Sequence, residues 1–360
     1  MPVSRFKAFW LHWQRKLRDG VSDAREDASR SSLWLRGGIA LIAVYLLVMA
    51  LLGVYWSQTP DSFVVEEFVT RQVEDRGGER ERGAVMTSAL IGVAQTLLEK
   101  PGGYLTNDIT PPGLWLDNMP SWEYGVVIQV RDASKAMREA FSRSQSQSRE
   151  DQDLALAESR FNFNTDSWIM PATEGQYREG IEYTRRYLDR LTGLNDNRAE
   201  FYTRADNLRY WLSTVETRLG SLSQRLSASV GQRRLNTDLP PRLSESQASN
   251  TTDSGEVVVK TPWHQLDNVY YEARGSAWAL IHLLKAAEIE FADVLEDKNA
   301  RVSLGQIIRE LEATQRSLMS PMILNGSGFG LLANHSLVMA SYISRANAAL
   351  IDLRSLLDRG

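Results

Sequence analysis

The chain has no cysteine and only four histidines among its 360 residues. Without cysteine it can form no disulfide, thiolate metal site or thiol nucleophile. The histidines form no HExxH motif and no pair four residues apart, and His264 and His282 are separated by about 27 Å along a helix. We therefore expect no metal ion and no cofactor.

Acidic side chains outnumber basic ones in most of the chain. The whole sequence carries a net charge of −4, although its first 36 residues hold eight basic and four acidic side chains. Because residues 37–60 are uncharged, the part that follows carries −8. Nucleic-acid binding depends on dense Lys and Arg, so we expect no nucleic-acid partner.

Residues 37–60 form a long uncharged run. Its apolar part, GGIALIAVYLLVMALLGVYW at 37–56, has about the 20 residues that a helix needs to cross a bilayer. Aromatic side chains at both ends suit the two headgroup layers. The predicted anchor residues are Trp34, Ile39, Leu46, Leu52, Tyr55 and Trp56. The alternative is a buried helix of a soluble core.

The charges on either side of this run predict its orientation. Basic residues dominate residues 1–36, whereas residues 61–75 contain Arg71 and five acidic side chains. Basic flanks stay in the cytoplasm, and the following SQTPD is not a signal-peptidase site. We expect an uncleaved signal anchor in the cell inner membrane, a cytoplasmic N-terminus and a periplasmic C-terminal domain. A helical spacing of aromatic and apolar residues predicts that the tail lies on the bilayer, through Val3, Phe6, Trp10, Trp13 and Leu17.

Composition divides the rest of the chain. GGERERG interrupts the apolar pattern near residue 80, and NTDLPPRLSESQASNTTDSGE is polar and flexible in composition. The predicted segments are a cytoplasmic tail (1–36), a span (37–56), a stalk or linker (57–83), a helical region (84–235), a flexible loop (236–256) and a second helical region (257–360).

Apolar residues in both helical regions recur at alternating spacings of three and four, which places them in rows along one face of a helix. We call each such row a seam. Seams are typical of helices packed at shallow angles. The first long seam comprises Phe201, Ala205, Leu208, Leu212, Val215, Leu219, Leu222 and Leu226. The second comprises Trp263, Leu266, Tyr270, Ala273, Ala277, Leu280, Leu284, Ala287, Phe291 and Val294. The third comprises Leu332, His335, Met339, Tyr342, Ala346, Ala349, Leu353 and Leu356. Shorter seams are Val127, Val130, Ser134, Met137, Phe141 and Tyr177, Ile181, Thr184, Leu188, Leu191.

The seams predict an all-α fold, in which one transmembrane helix precedes an elongated bundle of long, coiled-coil-like helices. Thr261 followed by Pro262 predicts a helix start. Extended period-two alternation is lacking, and Val257 to Val259 is a lone strand candidate.

Four stretches of the sequence are distinctive: KPGGYLTNDITPPGLWLDNMPSWEYGVVIQVRD (100–132), SRSQSQS (142–148), ADNLRYWLSTVETRLGSLSQRLSASVG (205–231) and NGSGFGLLANHSLVMASYISRANAALIDLR (325–354). They resemble a proteobacterial family described as domain of unknown function 2333. The resemblance implies a Gram-negative inner-membrane protein that faces the periplasm. It transfers no activity and no catalytic residue.

The least helical region, residues 100–124, holds the main candidate ligand-binding residues: Trp115, Asp117, Trp122 and Glu123. Tryptophans beside carboxylates can form a sugar-binding or acid–base site, because rings stack on sugars and desolvation raises a carboxyl pKa. The alternative is a rigid cap that closes one end of the bundle.

His335 is a further candidate, on an apolar seam, where a histidine is more often a packed residue with hydrogen-bonded nitrogens. The glycine run at 325–330 lacks the strand and the GK[ST] of a phosphate loop, which favours a tight turn between helices.

Beyond the span the sequence contains no GxSxG or SxxK motif. We therefore favour a membrane-anchored interaction or scaffolding protein of the cell envelope, whose partners are the lipid bilayer and either another protein or a second copy. The rival hypothesis is an envelope hydrolase or ligand-binding domain that uses residues 100–124.

Overall fold

The computed structural model describes residues 35–144, 149–195, 198–235, 256–318, 322–327 and 332–359. The predicted amphipathic tail, Trp34 and most of the predicted flexible loop lie outside these ranges. The chain divides into two compact units, Met1–Tyr55 and Trp56–Gly360, which are described separately.

In the first unit the described residues are helical. Helix α1, Leu35–Trp56, has 22 residues and is long and apolar enough to cross a membrane. Its side chains are mostly exposed, including the predicted anchor residues Ile39 and Leu46. Arg36, its one charged residue, lies within the first turn.

The second unit is built from helices, which confirms the all-α prediction. The helices are α2 (Val65–Gln72), α3 (Ala84–Glu99), α4 (Asn118–Ala136), α5 (Gln152–Phe161), α6 (Thr173–Leu191), α7 (Ala205–Ser227), α8 (Leu266–Glu290), α9 (Ala292–Asp297), α10 (Arg301–Ala313) and α11 (His335–Asp358). Their buried apolar residues form one continuous core. The most extensive helix pairs are α4 with α8 and α7 with α11.

The first two long seams are largely buried. From Leu208 to Leu226 the first seam faces the core, and so does the second from Leu266 to Phe291. Trp263 is wrong as a core position, because its side chain is 84% exposed. The segment after Pro262 starts as a short 3₁₀ turn, Trp263–Gln265, and α8 begins only at Leu266.

The third seam is displaced by one residue in several turns. The buried face of α11 passes through Met339, Ile343, Ala346, Leu350, Leu353 and Leu357, whereas Leu332 is 67% exposed and precedes the helix. Tyr342, Ala349 and Leu356 are half-buried. Each has an aliphatic neighbour immediately after it in sequence, so spacing alone does not decide which of the two enters the core.

The segment 57–83 is not a free stalk. Val65, Val69 and Val73 are buried in the core, and α2 packs against α3 and α8. These valines recur every four residues, which places them on one face of a helix. Helix α1 ends at Trp56, so residues 57–64 separate two distinct helices.

The candidate strand near Val257 has a partner. Strands β1 (Gln232–Leu235) and β2 (Glu256–Val259) pair antiparallel, with Gln232 opposite Val259. The pairing brings together the two chain segments that flank the predicted flexible loop. It is a minor addition to an otherwise helical unit.

Two glycines permit the close crossing of α4 and α8. A Cβ at Gly125 would overlap the carbonyl oxygen of Glu272, and a Cβ at Gly275 would overlap that of Trp122. Beside them the Gln129 amide donates to the Ser276 hydroxyl over 2.7 Å. The two helices therefore approach to backbone contact, which only glycine allows at these positions.

Candidate functional site

The loop between α3 and α4 contains a buried ion pair that involves one of the predicted site residues. Nζ of Lys100 lies 2.6 Å from Oε1 of Glu123, and both side chains are inaccessible to solvent. Lys100 follows the last residue of α3, and Glu123 lies in the second turn of α4. The Lys100 ammonium also donates to the carbonyl oxygen of Gly103.

Every acceptor position of the Glu123 carboxylate is occupied. Oε1 receives Lys100 and the N–H of Leu105 at 2.8 Å, and Oε2 receives the N–H of Thr106 at 2.8 Å and the Thr106 hydroxyl at 2.5 Å. A carboxylate has about four lone-pair sites. Burial raises the pKa of Glu123, while Lys100, the Thr106 hydroxyl and the N–H of Leu105 oppose that rise. Glu123 therefore holds the loop together and has no lone pair left for a ligand.

The other three loop candidates do not join Glu123 in one pocket. Trp122 is fully buried, with its ring 5.3 Å from that of Trp278, whereas Trp115 is 57% exposed. Asp117 is exposed and precedes the first residue of α4 without capping it through its side chain. The predicted set is thus divided between the core and the surface.

Polar contacts attach this loop to the connection between α5 and α6. The Tyr104 hydroxyl donates to the carbonyl oxygen of Thr165 over 2.9 Å. The amide of Asn107 donates to Ser167 O and to Oε2 of Glu174, both over 2.8 Å. Tyr104, Asn107 and Gly113 are buried. The two loops consequently form one connected surface layer.

His335 lies elsewhere, at the start of α11. Its ring Nδ1 accepts from the backbone N–H of Leu324 over 3.0 Å, and the backbone N–H of His335 donates to the carbonyl oxygen of Leu324 over 2.8 Å. It lines a pocket of about 160 Å³ together with Tyr270, Arg316, Val338 and Tyr342. That pocket includes none of the four loop candidates.

Another histidine, which sequence reasoning did not select, has a better-defined role. His282 is fully buried in α8, where Nδ1 donates to Trp278 O over 2.7 Å and Nε2 accepts from the N–H of Phe63 over 3.1 Å. The rings of Phe63 and His282 stack with centroids 4.0 Å apart. Burial lowers the pKa of His282 to about 4. The neutral ring therefore joins residue 63 to the middle of the core.

Glu290 makes a second such attachment, at the N-terminus of α3. Its carboxylate accepts from the N–H groups of Gly83 and Val85 over 2.6 and 3.1 Å. Free N–H groups and the helix dipole favour an anion there. Burial raises the pKa of Glu290, and the backbone donors oppose the rise. No sequence signal links it to α3, because the partners are about 200 residues apart.

Comparison with known proteins identifies a family but no relative of known activity. A family model described as an uncharacterized protein conserved in bacteria (DUF2333) matches residues 27–360. Neither a curated protein nor a solved structure matches the chain.

Proposed function

The chain belongs to the DUF2333 family of uncharacterized bacterial proteins, and from this premise we propose a single-span protein of the inner membrane. Its N-terminus is cytoplasmic, and its helical domain faces the periplasm. There it serves as an interaction or scaffolding protein of the cell envelope, with another protein or a second copy as its partner.

One observation carries the proposal. Helix α1 is a 22-residue apolar helix with exposed side chains, and the segment that follows it is fixed to the helical domain at Phe63. Eleven of its residues are Leu, Ile or Val, each of which favours insertion by about 0.3 to 0.6 kcal/mol. The short connection supports a domain that is kept close to its membrane.

The rival hypothesis, a hydrolase or ligand-binding domain based on residues 100–124, has less support. Its most deeply buried carboxylate, that of Glu123, forms an ion pair with Lys100 and accepts hydrogen bonds from backbone N–H groups. Acid–base catalysis needs a group that can reach the substrate proton. Trp115 and Asp117 remain accessible and keep this hypothesis testable.

A pair of reporters fused after Gly360 tests the orientation. A phosphatase that matures only outside the cytoplasm should be active, and a fluorescent protein that matures only inside should be dark. The opposite pair of results would refute a periplasmic domain. Using both reporters means that poor expression of one fusion cannot be mistaken for a result.

Crosslinking in intact cells tests the interaction role. The cysteine-free chain accepts a photoreactive amino acid at exposed positions, such as Val302 and Ile351, which are 79% and 49% exposed. Reproducible attachment of one protein, or of a second copy, is expected from at least one helical face. Absence of any adduct from a panel that covers all exposed helices would refute the scaffold.

A further inference from the structure

Two neighbouring loops of the helical domain carry an unusual concentration of exposed apolar side chains. We define the apolar rim as the following six residues, which are between 48% and 87% exposed: Ile109, Leu114, Trp115, Trp168, Ile169 and Met170. Asn107, which donates to Ser167 O, joins the two loops next to these residues. Exposed apolar groups gathered on neighbouring loops are typical of a surface that contacts a protein or a membrane.

The loop that carries Ile109, Leu114 and Trp115 starts beside the last residue of α1. The ring of Trp56, that last residue, packs so closely on Gly102 that a Cβ there would be 2.8 Å from two ring atoms. The same Cβ would lie 3.1 Å from Leu105, which precedes Asn107 by two residues. Residue 56 is the end of the proposed span, so the start of this loop lies where the chain would leave a bilayer.

The composition of the rim selects apolar rather than electrostatic attachment. Residues 104–117 and 162–172 contain no Lys or Arg and contain the acidic residues Asp108, Asp117 and Asp166. Tryptophan is preferred at the level of lipid headgroups, where its ring is partly apolar and its N–H stays solvated. Each loop presents one exposed tryptophan.

The backbone at Met170 supports the same conclusion. Its φ of 46° lies in the left-handed region, which an L side chain adopts at a cost, and its side chain is 87% exposed. A strained residue that directs a long apolar side chain into solvent is a feature typical of functional surfaces.

From the connection at Trp56 and the composition of the two loops, we infer that the apolar rim inserts into the headgroup layer of the membrane that holds α1. The domain then lies against its own membrane on the side where residue 57 emerges. The inference rests on the proposed anchoring by α1 and adds a second membrane contact to it.

Single cysteines test this contact, because the chain has no native cysteine. Leu114→Cys and Met170→Cys report on the rim, and Leu46→Cys reports on the span. Arg82→Cys is the control for a position that stays in water. Arg82 is exposed and precedes α3, whereas the loop that carries Leu114 follows the other end of this helix, about 24 Å away along its axis. Each full-length variant is labelled with bimane and placed in lipid nanodiscs with or without nitroxide-bearing phospholipid.

The nitroxide lipid should cause a loss of bimane fluorescence at positions 46, 114 and 170 and little loss at position 82. Raising the salt concentration should leave the loss at 114 and 170 unchanged, since no cation of the rim contributes. If the fluorescence is quenched at position 46 but not at 114 or not at 170, the inference is overturned while the membrane anchor stands. The rim would then be a protein-binding surface. Absence of quenching at 46 would overturn the anchor, and the inference with it.

Discussion

The N–H of Phe63 donates to Nε2 of His282, and the two rings stack, although the residues are 219 positions apart in sequence. The contact attaches the first residues after α1 to the centre of α8. The contact fixes residue 63 to the helical domain, provided that His282 stays neutral and Nε2 remains an acceptor.

Stability should therefore depend on pH through His282. Its ordinary pKa is 6.5 and burial lowers it to about 4 in the folded state. Its contribution is complete above pH 6.5 and is lost as the pH falls toward 4, because the unfolded chain binds a proton that the folded chain excludes. The loss reaches about 1.4 kcal/mol per pH unit, or about 3 kcal/mol over the window. Urea unfolding of the purified protein between pH 7.5 and 4.5 measures it.

Carboxyl groups titrate in part of the same window, so a matched control is needed. His282→Gln should be less stable at pH 7.5 and should show a shallower pH dependence than the wild type. His264→Gln, at an exposed position on the same segment, should leave the curve unchanged. Equal pH slopes for all three proteins would rule out a role for His282.

The buried pair formed by Lys100 and Glu123 should show strong coupling. Lys100→Met leaves a buried carboxylate without its cation, and we expect a loss of about 3 to 5 kcal/mol in unfolding free energy. Glu123→Gln should also destabilise the protein, since an amide cannot replace the ion pair and cannot accept from all four donors.

The double variant Lys100→Met with Glu123→Gln should lose less than the sum of the two single losses, by about 1 to 3 kcal/mol. Denaturant unfolding of the four proteins completes this cycle. Additive losses would mean that the two charges do not stabilise each other in the folded protein.

The glycine pair at the crossing of α4 and α8 offers a prediction with a built-in contrast. Gly125→Ala and Gly275→Ala place a methyl group on backbone atoms and should each cost about 1 to 3 kcal/mol. Gly305→Ala, inside α10 with nothing within 4 Å of its Cβ position, should stabilise by about 0.4 to 1 kcal/mol. In thermal melts followed by circular dichroism, the first two variants should melt below the wild type and Gly305→Ala should melt above it.

The helix interiors were predictable from local sequence, whereas their long-range contacts were not. Leu208 to Leu226 and Leu266 to Phe291 follow a 3.5-residue spacing that reports directly which face is buried. The spacing failed in α11, where adjacent apolar pairs such as Tyr342 and Ile343 satisfy two alternative faces. In each pair the second residue, an aliphatic one, is buried.

The candidate site was harder to predict because its key contacts join distant segments. Glu123 lies between Trp122 and Tyr124, which suggested a sugar site, and nothing in the sequence pairs it with Lys100. No sequence pattern predicts the contact between Phe63 and His282 either. One signal was available and missed: the spacing of Val65, Val69 and Val73 already predicts a packed helix in place of a stalk.

The buried seams give a direct test of the core. Leu219 and Leu284 are fully buried, so Leu219→Ala and Leu284→Ala should each cost about 2 to 5 kcal/mol in unfolding free energy. Leu332→Ala, at a position that is 67% exposed, should cost less than about 0.5 kcal/mol. Comparable losses at all three positions would contradict the assigned packing.

The central claim is that α1 holds this protein in a membrane, and the most direct measurement is retention of the full chain in alkali-washed membranes. Replacing both Leu46 and Leu47 by Arg adds roughly 5 to 7 kcal/mol to the cost of insertion, whereas the nine Leu, Ile and Val residues that remain in α1 supply only about 3 to 5 kcal/mol. The control variant carries Arg at the exposed positions Val302 and Ile351. We expect full retention of the wild type and the control, and loss of the double span variant from the membrane. Retention of all three proteins, or of none, would contradict it.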